Sequence, residues 1–491
     1  MSALDTMKEQ RLSNLDVFVN SGYEKYPHDF EVSHPISEII NFSTGFLDAE
    51  KKVSLAGRII LLRPMGKSCF LTFQDHTGKF QAFLQQNTIG EESMKLTKKL
   101  DIGDIIGVSG KIFKTQAGEL TIRVESFTLL SKSLKPLPEK HHGLQDVEIR
   151  YRNRHLDLIC NDEVKDIFIK KSLILNAIRS FLTQCKYIEV ETPILQPIYG
   201  GAAAKPFTTH HNDLEEDLYL RIAPELYLKK LLVGGFDRVF EIGRNFRNEG
   251  ISTRHNPEFT MLEFYTAYKD YKHGIQMIRS LFNHVSLMLR DFNIPSFNPV
   301  EVELIDLVDN FLKERLVPVF KEMDVQIVEK LSWKQARHSG FRNCLIAAKL
   351  MDCYDDNSEI AIMNIYEKYI EHTLDCHFVT GFPKSISPLA KSSKNNPNIA
   401  ERFELIINGI EIANGYSELN DPIEQLKAFE SQDAPEGTKR EIDMTYIEAL
   451  EYGMPPACGV GIGIDRLIMI LTGAKSIRDV VLFPAMRKNQ N

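Results

Sequence analysis

With 491 residues, 43% hydrophobic and 26% charged, the chain has room for two or three domains, each with a sizeable core. The 59 Lys and Arg against 67 Asp and Glu leave a formal charge of -8, which argues against sequence-blind coating of nucleic acid but allows one local basic face. Seven cysteines without a CxxC pair suggest neither a zinc knuckle nor a disulfide framework. The start "MSALDTMKEQ" has no basic-then-apolar pattern, and no run of about 18 apolar residues occurs, so a cytoplasmic protein without a membrane partner is expected.

Residues 1–50 predict an amphipathic helix ("MKEQRLSNLDVFVNSG") and a Pro-containing loop, an extension expected to pack on the next domain. Over 51–132 the texture changes to short β-rich runs, "VSLAGRIILL", "CFLTFQDHTGKFQAFLQ", "DIIGVSGKIF" and "ELTIRVESFTLL", at roughly ten-residue spacing. Five strands with one helical insert at about 91–100 fit a small Greek-key barrel of the OB type, a frequent oligonucleotide binder. The charged stretch at 133–150, with Pro136 and Pro138, reads as a linker. From 151 to 491, helices are expected at about 162–185, 224–232, 270–291, 443–450 and 465–472. Strands are expected at "YIEVETPIL", "LYLRIA", "VFEIGRNF", "EFTMLEFYTAY", "RFELIIN", "IEIANGYSEL" and "CGVGIGIDRL". Strands that follow one another without helices predict an antiparallel sheet in an α+β domain.

No GxxxxGK[ST] loop exists, and "GVGIGIDR" fails GxGxxG at Ile464, so phosphate is not cradled by a glycine loop. Arginine forks are the other means, and Arg247, Arg254 and Arg466 are the candidates. If "NFRNE" is extended, Arg247 and Glu249 share one face, with Arg244 on the other, where a structural ion pair is expected. In "EFTMLEFY", Phe259, Met261, Glu263 and Tyr265 share a face. That side combines a phosphate clamp, an aromatic plate and a buried acid, Glu263, which should have a cationic partner. A surface hairpin with structural ion pairs is the plainer alternative.

Asn408-Gly409 is a two-residue turn signal. Pairing outward from it sets Ile406 opposite Glu411 and Glu404 opposite Ala413, leaving Glu404 and Glu411 as diagonal neighbours roughly 7 to 8 Å apart. Such a pair can hold Mg²⁺ together with substrate phosphates, although solvated hairpin glutamates have the same pattern. Glu225, after a proline at a helix start, could be only a partner of the helix dipole. Together with Glu263 and Glu418 it would make an acidic pocket suited to a cationic ligand.

At these residues the sequence resembles the class II aminoacyl-tRNA synthetases, and within subclass IIb the lysyl branch, over nearly its whole length. "FLTQCKYIEVETPIL" is similar to motif 1, a dimer-interface helix and strand. "RVFEIGRNFRNEGISTRHNPEFTMLEFY" matches motif 2 and "GVGIGIDRL" motif 3. The resemblance implies a homodimer that activates L-lysine with ATP and charges tRNA(Lys). It assigns Arg247 to the α-phosphate and the amino-acid carboxylate, Glu249 to the adenine amino group, and Phe259 to stacking on adenine. Arg466 would cover the other adenine face and, with Arg254, hold the outer phosphates; His255 joins the ATP site, and Glu404 and Glu411 become Mg²⁺ ligands. Glu225 and Asn414 fall near the substrate's amino-acid end, and Glu263, Tyr265 and Glu418 around its side-chain ammonium. In the barrel, Phe70 and Gln81 match positions that stack on and hydrogen-bond anticodon bases, with Arg63 and Glu119 on the same surface. Alternation in "CFLTF" sets Phe70 and Thr72 against Cys69, Leu71 and Phe73, though Phe70 could also be a core residue.

Departures from the family pattern are Lys186 where motif 1 usually has glycine, "DCHFVTGFP" without a proline after its histidine, and a weakly matching segment at 300–390, expected to be a peripheral helical insertion. Rival readings are an aspartyl or asparaginyl synthetase of the same subclass, whose pocket needs cations where this one has carboxylates, and a non-catalytic OB-fold RNA-binding paralogue.

Overall fold

The computed structural model describes residues 2–48, 51–138, 144–322, 350, 358–431 and 441–488. Most of "FKEMDVQIVEKLSWKQARHSG", inside the 300–390 segment, and part of the 133–150 linker lie outside them. The chain forms two compact units, Met1–Leu144 and Gln145–Asn491.

In the first unit, helix α1 (Ala3–Asn20) starts at a Ser2/Asp5 capping box, which satisfies free N–H groups of its first turn. Its Leu15 and Phe18 are buried in the same core as the barrel residues. Strands β1 (Lys52–Met65), β2 (Ser68–Gln74), β3 (Lys79–Gln85), β4 (Ile105–Lys114) and β5 (Leu120–Ser131) close a barrel in the order β1-β2-β3-β5-β4. Helix α2 (Glu91–Thr97) lies in the expected insert. Along β2 burial alternates, with Cys69, Leu71 and Phe73 inside and Phe70 and Thr72 facing outward. Phe70 is therefore not a core residue.

In the second unit the strands are β6 (Ile188–Glu189), β7 (Leu195–Gln196), β8 (Phe207–His211), β9 (Glu216–Leu220), β10 (Arg238–Phe246), β11 (Glu258–Ala267), β12 (Val300–Glu303), β13 (Cys376–Thr380), β14 (Arg402–Ile407), β15 (Ile410–Ser417) and β16 (Ala457–Gly463). Eight of them form one sheet in the order β12-β13-β14-β15-β16-β11-β10-β6, and β7-β9-β8 form a smaller one. The large sheet is antiparallel through its centre but mixed overall, because β12 runs parallel to β13 and β6 parallel to β10 at the two edges. Edge strand β12 and its neighbour β13 also show that both flanks of the expected insertion extend the main sheet.

The helices that position the site are α3 (Asp162–Gln184), α4 (Glu225–Val233), α5 (Tyr271–Met288), α6 (Leu304–Glu322), α7 (Ser358–Ile365), α8 (Met444–Glu451) and α9 (Ile464–Thr472). Helices α3, α5 and α9 cover one sheet face: Ile174, Ile178, Ile275, Ile278 and Leu467 pack there against Leu262, Phe264, Val460 and Ile462. Period-2 alternation sends the odd-numbered residues of β11 and β16 to the opposite face. A smaller core joins α6 and α7 to Val379 and Phe382.

Candidate active site

Register makes the opposite face a chemical surface. Residues paired across strands share a face, and one row runs Glu241, Glu263, Gly461, Asn414, Glu404 across five strands. The adjacent row runs Val239, Tyr265, Gly459, Tyr416, Arg402. Gly459 is required here because a Cβ at that position would overlap Glu418 Oε1 and the Tyr265 ring. This face lines a cavity of about 1070 Å³ that is also bordered by Glu225, Arg247, Glu249, Arg254, His255, Phe259, Glu411, Glu418 and Arg466. Every residue expected for nucleotide or amino acid thus meets at one cavity.

At one end are the arginines. The Arg247 guanidinium lies over the Phe259 ring, 5.1 Å from its centroid, and its buried Nε has no hydrogen-bond partner among the described residues. Burial lowers its pKa, against the pull of Glu411 and Glu249. Arg466 Nη1 donates to the Glu411 carbonyl at 2.9 Å and to Glu411 Oε2 at 3.2 Å, and its Nη2 lies 3.0 Å from His255 Nε2. Burial and then Arg466 lower the His255 pKa, so the neutral imidazole accepts from Arg466. Arg254 Nη1 donates to the Gly409 carbonyl at 2.9 Å, while Glu249 is exposed at the rim. Asp465, buried at the start of α9, ties these segments together by accepting from the Thr260 N–H at 2.8 Å and Lys171 Nζ at 2.6 Å. Arg244 points away and pairs with Glu258 at 3.6 Å, the structural ion pair that parity predicts.

At the other end are the acids. Glu225, Glu263 and Glu418 are all buried. Glu263 departs from expectation, because among the described residues no basic side chain makes an ion pair with it; it accepts from the Tyr265 hydroxyl at 3.0 Å. Burial, then the charge of Glu225, pushes its pKa up to about 8. Neighbouring Glu241, by contrast, is paired, with Arg221 Nη1 2.5 Å from its Oε1. Lys229, one helical turn after Glu225, places its buried Nζ 2.6 Å from Glu225 Oε1 and in ion-pair contact with Glu418 Oε2.

The β14–β15 hairpin turns at Asn408 and Gly409, both with positive φ (52° and 66°), as a two-residue primed turn requires. Ile406 stands opposite Glu411 as expected, but a bulge follows, so Glu404 pairs with Asn414 and not with Ala413. The extra residue, Ile412, goes into the core under the sheet. Glu404 is buried beside Arg402 at 2.6 Å, off the cavity lining, and Asn414 Oδ1 lies 3.3 Å from Arg402 Nε. Burial, opposed by Arg402 and reinforced by Glu411, pushes the Glu404 pKa up to about 8. Glu371, which sequence reasoning missed, is pushed up to about 7 by burial and Glu411. Lys229 was legible as the i+4 partner of Glu225, and Tyr416 by its parity with Asn414 and Glu418.

On the barrel's outer surface, cross-strand pairing lines up Arg63, Phe70, Phe83 and Arg123. The Phe70 and Phe83 rings are 4.5 Å apart, and Arg123 lies over Phe113 at 4.6 Å. Gln81 is held beside them, its Nε2 donating to Glu119 Oε2 at 2.7 Å and its Oε1 accepting from the Thr121 hydroxyl at 2.9 Å. Alternation in "KFQAFLQ" was the available signal for Phe83.

Residues 146–487 match the family model of class II tRNA synthetases (D, K and N), and residues 53–130 that of the OB-fold nucleic acid binding domain. The chain belongs to the class II tRNA synthetases. A lysine–tRNA ligase of Carboxydothermus hydrogenoformans is 46% identical, over 99% of this chain and 98% of its own length. One of Pelotomaculum thermopropionicum is 47% identical over 99% and 96%. One of Helicobacter pylori is 47% identical over 90% and 88%. In this class II synthetase the cavity face lies between motifs 2 and 3, on strands β10, β11 and β16 and the start of α9. No described helix is long and apolar enough to cross a membrane.

Proposed function

We propose that this synthetase activates L-lysine with ATP, releasing pyrophosphate, and transfers the lysyl group to the terminal ribose of tRNA(Lys), releasing AMP. The observation that carries this reading is the buried acidic end of the cavity, with Glu263 unpaired by any described cation, placed a few residues along β11 from Phe259, over whose ring Arg247 lies. A carboxylate desolvated this strongly favours a ligand that brings its own positive charge. An aspartate or asparagine substrate would meet repulsion or an unpaired acid there, and the full-length likeness to lysine–tRNA ligases points the same way.

In the first step a lysine carboxylate oxygen attacks the α-phosphorus of ATP, and the bond to the pyrophosphate oxygen breaks. Arg247 holds the α-phosphate and the lysine carboxylate together, so positioning and charge stabilisation provide the catalysis without a protein nucleophile. Phe259 and Arg466 take the two faces of adenine, Glu249 accepts from its amino group, and Arg254 and His255 reach the outer phosphates. Glu225 and Asn414 bind the amino-acid end, while Glu263, Tyr265 and Glu418 surround the side-chain ammonium. In the second step the ribose hydroxyl attacks the lysyl carbonyl and AMP leaves.

Glu404 and Glu411 offer hard oxygen donors, and burial, opposed by Arg402 and reinforced by Glu411, raises the Glu404 pKa, so a divalent cation such as Mg²⁺ would favour its ionised form. Bound there with phosphate oxygens, the ion would neutralise charge on ATP; Arg402 and Arg466 hold the two carboxylates by ion pairs. In the barrel, Phe70 would stack on an anticodon base, with Gln81, Arg63 and Glu119 contacting its neighbours. A homodimer through motif 1 is supported by the exposed Ile188 on edge strand β6 and the exposed Ile169 on α3, and the proposed site of action is the cytoplasm.

ATP–pyrophosphate exchange assayed with each of the twenty amino acids tests the reading. Lysine is expected to stimulate exchange; stimulation led by aspartate or asparagine would sink it.

A further inference from the structure

Lys229 carries no role in the chemistry above, yet its ammonium is fully buried beside two carboxylates of the acid end. A buried ammonium is costly unless matched, and a simple core position would hold Leu or Met here, as the flanking Leu228 and Leu232 do. The groups facing Lys229 are Glu225 from its own helix, Glu418 and Tyr416 from the β15 segment, and Tyr446 from α8. Its Nζ also sits 5.5 Å from the centre of the Tyr416 ring.

What Lys229 does to the two carboxylates is specific to one oxygen of each. Glu225 Oε1 is held by Lys229 Nζ at 2.6 Å and by the Tyr416 hydroxyl at 2.6 Å, which leaves Oε2 toward Gly201 on the cavity wall. Glu418 meets Lys229 through Oε2, and its Oε1 is turned toward Gly459, a second lining residue. Among the described residues neither oxygen of Glu418 has a well-formed hydrogen bond, so that carboxylate is desolvated and only partly compensated.

We propose that Lys229 is a positioning residue for the amino-acid substrate. It clamps one oxygen of Glu225 and one of Glu418 so that the free oxygens face the cavity. In the lysine-bound state, with Glu225, Glu263 and Glu418 all ionised, it also brings their charge to a net two negative. A substrate with an α-ammonium and a side-chain ammonium supplies two positive charges while its carboxylate goes to Arg247. The inference rests on the lysine reading and adds the residue that sets the charge balance of its pocket. Burial alone would lower the Lys229 pKa, but Glu225 and then Glu418 more than offset this, so the clamp stays charged across the working pH range.

The test is exchange kinetics of full-length Lys229→Met and Lys229→Gln from pH 6.5 to 9, the second variant keeping hydrogen bonds to the carboxylates if the first folds poorly. At pH 7, KM for lysine is expected to rise by about tenfold or more, with KM for ATP changed by less than about twofold. Without Lys229 one further carboxylate must lose a proton before lysine binds. The slope of log KM for lysine against pH should therefore steepen by about one below pH 8. Equal shifts in both KM values, an unchanged slope, or unfolding of both variants without a lysine-specific defect in the soluble fraction would assign Lys229 to structure alone and overturn the proposal. Wild-type exchange that does not depend on lysine would instead overturn the underlying reading.

Discussion

The acid end of the cavity, where Glu263 of β11 meets Glu225 of α4 and Glu418 just past β15, and the outer face of the barrel, a row of side chains on paired strands, differ in burial. Glu225, Glu263 and Glu418 are buried, whereas Phe70, Phe83 and Arg63 stand on the outer surface of their barrel. Charge taken out of water is expensive and selective, so a change there costs orders of magnitude. An aromatic plate in contact with solvent contributes through area and tolerates variation in what stacks on it, so each change there costs less.

The largest effect is expected at Glu263. Removing the acid leaves the bound ammonium only one of its two carboxylates, Glu418, which costs about 3 to 5 kcal/mol, or roughly 10²- to 10⁴-fold in kcat/KM for lysine in Glu263→Gln. Stability should move the other way. The folded-state pKa of about 8 lies above the usual carboxylate value, so wild-type stability is fully present below the unfolded pKa and falls as pH rises toward 8. Thermal melts of the free protein should thus show a higher Tm for Glu263→Gln than for wild type at pH 8, and little difference at pH 4. Lysine affinity of the wild type should weaken as pH drops below 8, because Glu263 must release a proton to pair with the ammonium. Activity retained in Glu263→Gln would break the comparison at its buried end.

Next is Arg247→Ala. Its guanidinium, placed over Phe259, is the group closest in role to an oxyanion donor, and about 10²- to 10³-fold should be lost from lysine-dependent exchange. At the barrel, Phe70→Ala should leave exchange intact and weaken tRNA charging by about 1 to 3 kcal/mol of stacking, seen as a raised KM for tRNA. Equal loss of both activities would mean that Phe70 supports folding, and the contrast between the two regions would fail.

Much of both regions was legible from period-2 alternation. It set Phe259, Glu263 and Tyr265 together on one face of β11, Arg244 on the other face of β10, and Phe70 outside the barrel, because each strand is buried on at least one side and cannot slip register. Where reasoning from the sequence failed, the cause was not local. The bulge at Ile412 moved Glu404 opposite Asn414, and nothing in "NGIEIANG" marks an extra residue. Glu263 has no cationic partner among the described residues, while Arg221 pairs with Glu241, a pairing between residues 20 positions apart that only the packed sheet reveals. The parallel pairing at the two edges was not legible either: β6, inside the expected strand "YIEVETPIL", is only two residues long, and β12 is four.

A control outside both regions sharpens the contrast. Lys186 follows α3 with φ of 67°, a left-handed position where motif 1 usually has glycine. Its N–H donates to the Thr183 carbonyl at 3.0 Å and the Tyr187 N–H to Leu182 at 3.0 Å, so the chain keeps the helix-ending turn despite a Cβ. The left-handed conformation costs a non-glycine residue about 1 to 2 kcal/mol, whereas glycine loses more backbone entropy on folding by roughly 0.5 to 1 kcal/mol. The steric term is the larger, so Lys186→Gly should stabilise the protein by about 1 kcal/mol or less, read as a small rise in urea midpoint. Exchange and tRNA charging should both stay at wild-type level. A change in either would mean that sensitivity is spread through the second unit and does not follow burial of the substrate-facing charges.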